Sequence, residues 1–214
     1  MNPRELLQRG ADELAIPLTI EQVNSIFIYL TELKKWNEKI NLTAIKDERD
    51  IIIKHVLDSL SYSKGFVPST GLRLLDMGSG AGFPALPIKI AFPELPVSMV
   101  DSVKKKASFL RHIVRTLKLT STEVFDVRTQ ELPAALLSTF DIVTARALAD
   151  MKAAITAGVP FLKPGGMMVL SRGPEELITQ PEMTRAGVVM EKRMELTLPH
   201  SDYKRSIWVF MKPG

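Results

Sequence analysis

The chain has no cysteine, which excludes disulfides, thiolate metal sites and a cysteine nucleophile together. Histidine is scarce as well: His55, His112 and His200 lie far apart and form no ligand-spaced pair, so no metal site is expected. No stretch approaches the roughly 20 apolar residues that span a bilayer. The opening Met1-Asn2-Pro3-Arg4-Glu5 is charged and carries no apolar signal core. Neither sign of charge dominates, with 28 Lys+Arg against 24 Asp+Glu. What is there is a 214-residue chain, 45% hydrophobic and 24% charged, an ordinary globular balance with room for one domain and a modest appendage. A soluble cytoplasmic protein is expected, acting as a monomer.

The small positive excess is unevenly spread. Residues 1–70 hold 9 basic and 10 acidic side chains, whereas residues 101–130 hold 7 and 3. Lys104, Lys105, Lys106, Arg111, Arg115 and Lys118 make a basic run that suits a phosphate backbone. Charge alone slightly favours a solvated helix face.

The texture of the chain changes near residue 70. Before it, Leu18, Val23, Ile26, Phe27, Leu30 and Leu33 recur at helical spacing, with Thr19 and Gln22 offering a capping box. A second apolar rhythm runs from Ile51 to Leu60, and Ser69-Thr70-Gly71 reads as a linker. These features predict a helical extension over 1–70 and a second unit over 71–214. There, strand candidates at Leu72–Asp76, Val97–Asp101, Glu123–Asp126, Phe140–Ala145 and Gly166–Ser171 alternate with helix candidates. The helices are expected at Pro84–Phe92, Lys104–Leu117, Glu131–Leu137 and Asp150–Leu162. Such alternation predicts a mostly parallel α/β sheet with its ligand at the carboxyl ends of the strands. Val188–Leu196 and Ser206–Lys212 should close it as an antiparallel pair.

The most informative stretch is Asp76-Met77-Gly78-Ser79-Gly80-Ala81-Gly82-Phe83-Pro84. Its glycines follow G-x-G-x-G, whereas the dinucleotide fingerprint is G-x-G-x-x-G. The spacing suits a ligand without pyrophosphate, such as S-adenosylmethionine, with Asp76 near its amino acid part. Asp101, closing the next strand, is placed to accept two ribose hydroxyls. The strand ends at Asp126–Gln130 and Thr144–Arg146 should flank adenine and the transferred methyl.

The missing cysteine removes carbon-directed methylation of pyrimidines. The Asn/Asp-Pro-Pro-aromatic box of amine-directed enzymes is also absent, since its place reads Thr144-Ala145-Arg146-Ala147-Leu148. Guanine N7, unprotonated at neutral pH, needs only alignment and no general base. A small-molecule or other RNA acceptor is the first alternative; the glycine spacing argues against a nicotinamide-dependent oxidoreductase, and the intact Asp76, glycine trio and Asp101 argue against a binding protein with a relic site.

At this point a family resemblance emerges. The runs Asn41-Leu42-Thr43-Ala44-Ile45, Lys54-His55-Val56-Leu57-Asp58-Ser59-Leu60 and Asp76 to Pro84 closely resemble the RsmG (GidB) family. So do Val100-Asp101-Ser102, Lys105-Lys106, Phe109-Leu110, Arg128 ahead of Glu131, and Arg146-Ala147. The resemblance implies a class I S-adenosylmethionine-dependent methyltransferase, Rossmann-like with a seven-stranded sheet, acting on guanine N7 in the 530 loop of bacterial 16S rRNA. The partner would be the small ribosomal subunit or its precursor. It also implies that Gly78, Phe83, Thr129, Gln130 and Arg146 contact the cofactor. The sequence departs from the family at Ala85 (usually glycine), Gln130 (often an acid) and Arg172-Gly173 (usually Lys-Gly).

Roles follow for the remaining residues. Asp76, Gly78, Ser79, Gly80, Gly82, Phe83, Asp101, Ser102, Thr129, Gln130 and Arg146 are the expected cofactor site. Arg146, at the catalytic edge, should be paired with a carboxylate or aimed at phosphate or guanine O6, because a bare cation beside a sulfonium is unfavourable. Lys54, His55, Lys105, Lys106, Arg128 and Arg172 are candidates for the RNA, Arg128 and Arg172 as rim cations. His55 and Asp58, one turn apart, can share a helix face, and His55 should be held by a neighbouring acid. Asn41 and Thr43 read as a turn bordering the site, Trp36 and Trp208 as packing.

Overall fold

The computed structural model describes residues 1–146, 150–173 and 178–214. α1 (Pro3–Glu13) begins behind Asn2, whose side chain accepts the Glu5 N–H. α2 (Ile20–Asn37) opens with the predicted capping box between Thr19 and Gln22 and buries Val23, Ile26, Tyr29, Leu30 and Leu33. α3 (Glu48–Ile51), a π-helical stretch over Ile52–Leu57 and α4 (Asp58–Ser61) follow with continuous helical backbone. A π-turn adds a residue to the helical ring and often marks a functional position; this one carries Lys54 and His55.

Among the described residues, seven strands form one sheet: β1 (Leu74–Met77), β2 (Val97–Val100), β3 (Thr122–Phe125), β4 (Phe140–Ala145), β5 (Leu162–Arg172), β6 (Val189–Thr197) and β7 (Lys204–Met211). Their order is β3-β2-β1-β4-β5-β7-β6. The first five pair in parallel, while β7 runs antiparallel to both β5 and β6. α5 (Ala85–Ala91), α6 (Lys104–Thr116), α7 (Met151–Gly158) and α8 (Gln180–Ala186) complete the fold.

Because strand side chains alternate, the sheet separates two cores. Leu74, Val97, Met99 and Ile142 face one cluster, shared with α1, α2, α5 and α6. Leu75, Val100, Val143 and Ala145 face the other, with α7 and α8. The N-terminal helices therefore pack directly on the sheet layer, and Leu6, Leu7 and Ile26 belong to the same apolar cluster as Leu74.

Two predicted elements change. Glu131–Leu137 is not a helix: Thr129–Glu131 and Ala134–Leu136 are short 3-10 turns, because Pro133 removes an N–H and interrupts the run. β5 starts before the expected Gly166, since a register shift between Phe140 and Ile142 lets Leu162 and Met167 both pair with β4. α8 was not foreseen, although Thr179 and Glu182 form a capping box and Gly187 ends the helix at φ 74°.

Candidate functional site

The sheet register assembles the site. Met77 pairs with both Val100 and Ala145, and Val100 with Phe125. The residues that follow, Gly78, Asp101, Arg146 and Asp126, therefore leave the sheet level with one another. This edge is also where chain order reverses, between β1 and β4, the usual ligand position in open α/β sheets.

Gly78, Gly80 and Gly82 all have positive φ, at 67°, 58° and 99°, a region that disfavours any side chain. At Gly80 an added Cβ would meet only the Gly78 carbonyl, at 3.9 Å, so its bare backbone faces open space. At Gly82 it would lie 2.3 Å from Leu86 Cδ1, so that glycine serves close packing of α5. Ser79 is buried and holds the turn, its N–H donating to the Val100 carbonyl and its hydroxyl to that of Asp76.

Asp101 is 7% exposed. Its Oδ2 accepts the Gly80 N–H at 2.8 Å and its Oδ1 the Val103 N–H at 2.8 Å. Each oxygen keeps a further lone pair. A cavity of about 500 Å³ lies on one side, lined among others by Thr43, His55, Gly80, Phe83, Lys106 and Arg146. A second of about 260 Å³ lies on the other, lined by Val127, Arg128, Thr129 and Gln130. Both are also lined by Gly78, Asp101 and Ser102. A long ligand with a diol at its middle fits this pair of clefts, and a nucleoside joined to an amino acid has that form.

Asp76 is placed differently from expectation. It is fully buried beneath the turn and lines neither cavity. Its Oδ1 accepts the Thr144 hydroxyl at 3.0 Å, while Oδ2 meets no hydrogen-bond partner among the described residues. Burial pushes this carboxyl up to about 7.

Arg146 meets the paired-carboxylate expectation. It lies 3.2 Å from Asp58 Oδ2, and its Nη2 donates to the Lys54 carbonyl and, at 2.8 Å, to His55 Nδ1. Asp58 is 2% exposed, and its Oδ1 accepts from Arg205 Nε at 3.0 Å and Ser171 Oγ at 3.3 Å. His55 stacks on Phe83 with ring centroids 4.6 Å apart, and its Nε2 lies 2.7 Å from Thr43 Oγ1. Burial, and then the Arg146 cation, pushes His55 down to about 3, so it is neutral. The expected acid beside His55 thus reaches it through Arg146.

The RNA candidates divide. Lys105 and Arg128 are exposed, and Lys106 lines the larger cavity. Lys54 is drawn to Asp50 at 2.9 Å and lies over the Tyr203 ring. Arg172 does not stand on the rim: it is 7% exposed, and its Nη1 donates to the Arg146 carbonyl at 2.6 Å. It supports Arg146 from behind. Ala147, of the Arg146-Ala147 pair, lies outside the described residues. Trp36 packs against Phe109 and His112, and Trp208 on Phe210. Sequence reading missed Arg205 and Asn37. Asn37 Oδ1 accepts the Leu42 and Thr43 N–H groups, and its Nδ2 donates to the Thr43 carbonyl, fixing the 41–45 loop.

Asp76 and His55 act oppositely on stability. Asp76 is raised above its unfolded value, so its contribution is full below about pH 4 and is lost as pH rises through about 7. His55 is depressed, so its contribution is full above about pH 6.5 and is lost as pH falls toward about 3. Asp76→Asn leaves only the second effect. Its melting temperature, measured relative to the parent chain, should therefore rise steadily from pH 4 to pH 7. A pH-independent difference would show that Asp76 does not carry the shift.

Residues 22–208 match the family model described as GidB, rRNA small subunit methyltransferase G. Ribosomal RNA small subunit methyltransferase G of Geobacter sp. (strain M21) is 41% identical over 210 residues, covering 96% of each chain. The protein of the same name from Acetivibrio thermocellus is 37% identical, over 98% of this chain and 88% of its own. Among solved structures, a SAM-dependent methyltransferase from Aquifex aeolicus aligns with a TM-score of 0.58 at 19% identity, over 76% of this chain and 93% of that one. At that identity the likeness is one of fold.

Proposed function

Because the chain belongs to the rRNA small subunit methyltransferase G family and is thereby an S-adenosylmethionine-dependent methyltransferase of small-subunit rRNA, we propose that its acceptor is N7 of a guanine in the 530 loop of 16S rRNA. It would act in the cytoplasm, on the small subunit or a precursor of it.

The observation that carries this reading is the state of the titratable groups around the larger cavity. Among the described residues that line it, these are His55, Asp101, Lys106 and Arg146. His55 is neutral and engaged at both ring nitrogens. Both Asp101 oxygens hold backbone N–H groups on the cofactor side. Lys106 and Arg146 are cations. An acceptor that must lose a proton would find no free base among these described residues, whereas guanine N7 presents a lone pair with no proton to remove.

S-adenosylmethionine supplies an electrophilic methyl group on a sulfonium. Gly78, Gly80, Asp101 and Ser102 would hold its middle, Thr129 and Gln130 the base side, and Phe83 and Arg146 the reacting side. Asp58 offsets the charge of Arg146, so this wall does not present a bare cation to a positively charged ligand. His55 fixes the Arg146 guanidinium in plane, and Arg172 holds the Arg146 carbonyl.

The RNA side is supported by α6. Lys104, Lys105 and Lys106 form its first turn, which has no acidic residue and no side-chain cap. Cations at a helix N-terminus oppose the macrodipole, so this arrangement serves a polyanion better than it serves the helix. N7 lies in the deep major groove of A-form RNA, so the target must sit in a loop or leave its stack.

Methyl transfer from labelled S-adenosylmethionine to unmodified small subunits, followed by mapping of 7-methylguanosine, tests the assignment. One labelled guanosine in the 530 loop is expected. No label, with cofactor binding intact, would refute it, and labelling of a small molecule without RNA would point to the rival acceptor class.

A further inference from the structure

Thr43 is where the hydrogen-bonding geometry leaves something over. His55 Nδ1 lies 2.8 Å from Arg146 Nη2, which can only donate, and 3.2 Å from the Lys54 carbonyl, which can only accept. The Arg146 contact is the shorter, and the Lys54 carbonyl already accepts from Arg146 Nη2, so we assign Nδ1 as the acceptor. In a neutral imidazole the proton then lies on Nε2, which donates to Thr43 Oγ1 at 2.7 Å. The same oxygen accepts the Ile45 N–H at 3.1 Å. A hydroxyl has two lone pairs and one hydrogen. Both lone pairs are taken, so the hydrogen is left to donate, and among the described residues no acceptor meets it. The Asn37 side chain locks the Thr43 backbone through both its N–H and its carbonyl, and Thr43 lines the larger cavity beside His55 and Arg146. The result is a rigid, single-purpose donor in the wall of the acceptor cavity.

Guanine carries an acceptor, O6, next to N7, where adenine carries an amino donor. We propose that the Thr43 hydroxyl donates to O6 of the target guanine, selecting guanine over adenine while leaving N7 open to the methyl group. This rests on the guanine-N7 reading above. An aligned donor rejects adenine because two donors would meet, and it favours one edge of the base without occupying the reacting nitrogen. Arg146, committed to Asp58, Lys54 and His55, is not available for the bidentate grip on O6 and N7 that would block the reaction.

The test places guanine, hypoxanthine or 2-aminopurine at the target position of ligated 16S rRNA in reconstituted small subunits. Hypoxanthine keeps O6 and loses only the exocyclic amine; 2-aminopurine has no oxygen at C6. The intact enzyme should prefer hypoxanthine to 2-aminopurine in kcat/KM by about 10- to 100-fold, the discrimination a satisfied hydrogen bond can supply. In Thr43→Val that ratio should collapse toward one, while Thr43→Ser retains it. S-adenosylhomocysteine affinity, measured by calorimetry, should stay within about threefold in both variants, a free-energy change below 1 kcal/mol. Equal use of the two analogues by the intact enzyme would overturn the proposal even if Thr43→Val fails to fold. So would an unchanged ratio in Thr43→Val, which would make Thr43 structural only, or a loss of S-adenosylhomocysteine binding, which would turn the donor toward the cofactor. If the intact enzyme does not methylate guanine N7 at all, the functional reading itself fails, and the proposal with it.

Discussion

Asp58→Ala is expected to cost about 3–5 kcal/mol of stability, the usual penalty for removing one partner of a buried ion pair. Asp58 is 2% exposed and stands between two arginines, Arg146 at 3.2 Å and Arg205 at 3.0 Å. Neither arginine is free to turn fully into water, with side-chain exposures of 19% and 26%. Deleting the carboxylate leaves two neighbouring cations to repel each other in a poorly solvated wall. For a chain of this size the loss corresponds to roughly 10 °C or more in melting temperature. Asp58→Asn preserves shape and one acceptor but not charge, so it should fall between the two. Thermal melts of both variants decide the point. A melting temperature within 2 °C of the parent (about 0.5–1 kcal/mol) would mean that water already screens the two arginines.

Asp101→Ala should weaken S-adenosylhomocysteine binding by at least about 100-fold, since hydrogen bonds to a charged group contribute about 1.5–3 kcal/mol each. The carboxylate has two tasks. It fixes the Gly80 and Val103 N–H groups, and so the shape of the glycine turn. Its remaining lone pairs lie between the two clefts, where a ribose diol would be read. Asp101→Asn keeps one acceptor oxygen and should lose less. Methyl transfer should fall in step with affinity in both variants. Calorimetric titration separates this from unfolding, and a dissociation constant within about fivefold of the parent, under about 1 kcal/mol, would remove Asp101 from the cofactor site.

Local features were legible because their causes are local. Thr19 and Gln22 announced the start of α2, and Phe140–Ala145 was a short, largely apolar run of strand length. The alternation of strands and helices fixed the order of layers, and the glycine trio followed by Asp101 located the ligand edge. Long-range pairing was another matter. His55 and Asp58 could be placed on one helix face from their spacing, but their partners Arg146 and Arg205 lie 91 and 147 residues further on. Nothing in composition distinguishes such an arginine from a rim cation, which is why Arg172 was misplaced. Its charge predicted solvent, while the geometry at the end of β5 turns it inward onto a carbonyl. Asp76 was read by its spacing to the glycines, which gives the right neighbourhood but not the depth.

One helix sets the aperture of the site. Tyr29 donates its hydroxyl to the Ala81 carbonyl at 2.6 Å, and Asn37, two turns further along α2, holds the loop that carries Leu42 and Thr43. Ala81, Leu42 and Thr43 all line the larger cavity. The two grips are eight residues apart, a rise of about 12 Å along a helix. In mechanical terms α2 is a ruler laid along the mouth, and a helix scarcely stretches. Changes of loop length around residues 14–19 or 66–71 would be absorbed outside this span. A residue added between Tyr29 and Asn37 would rotate one grip by about 100° relative to the other, and the two walls would no longer face each other.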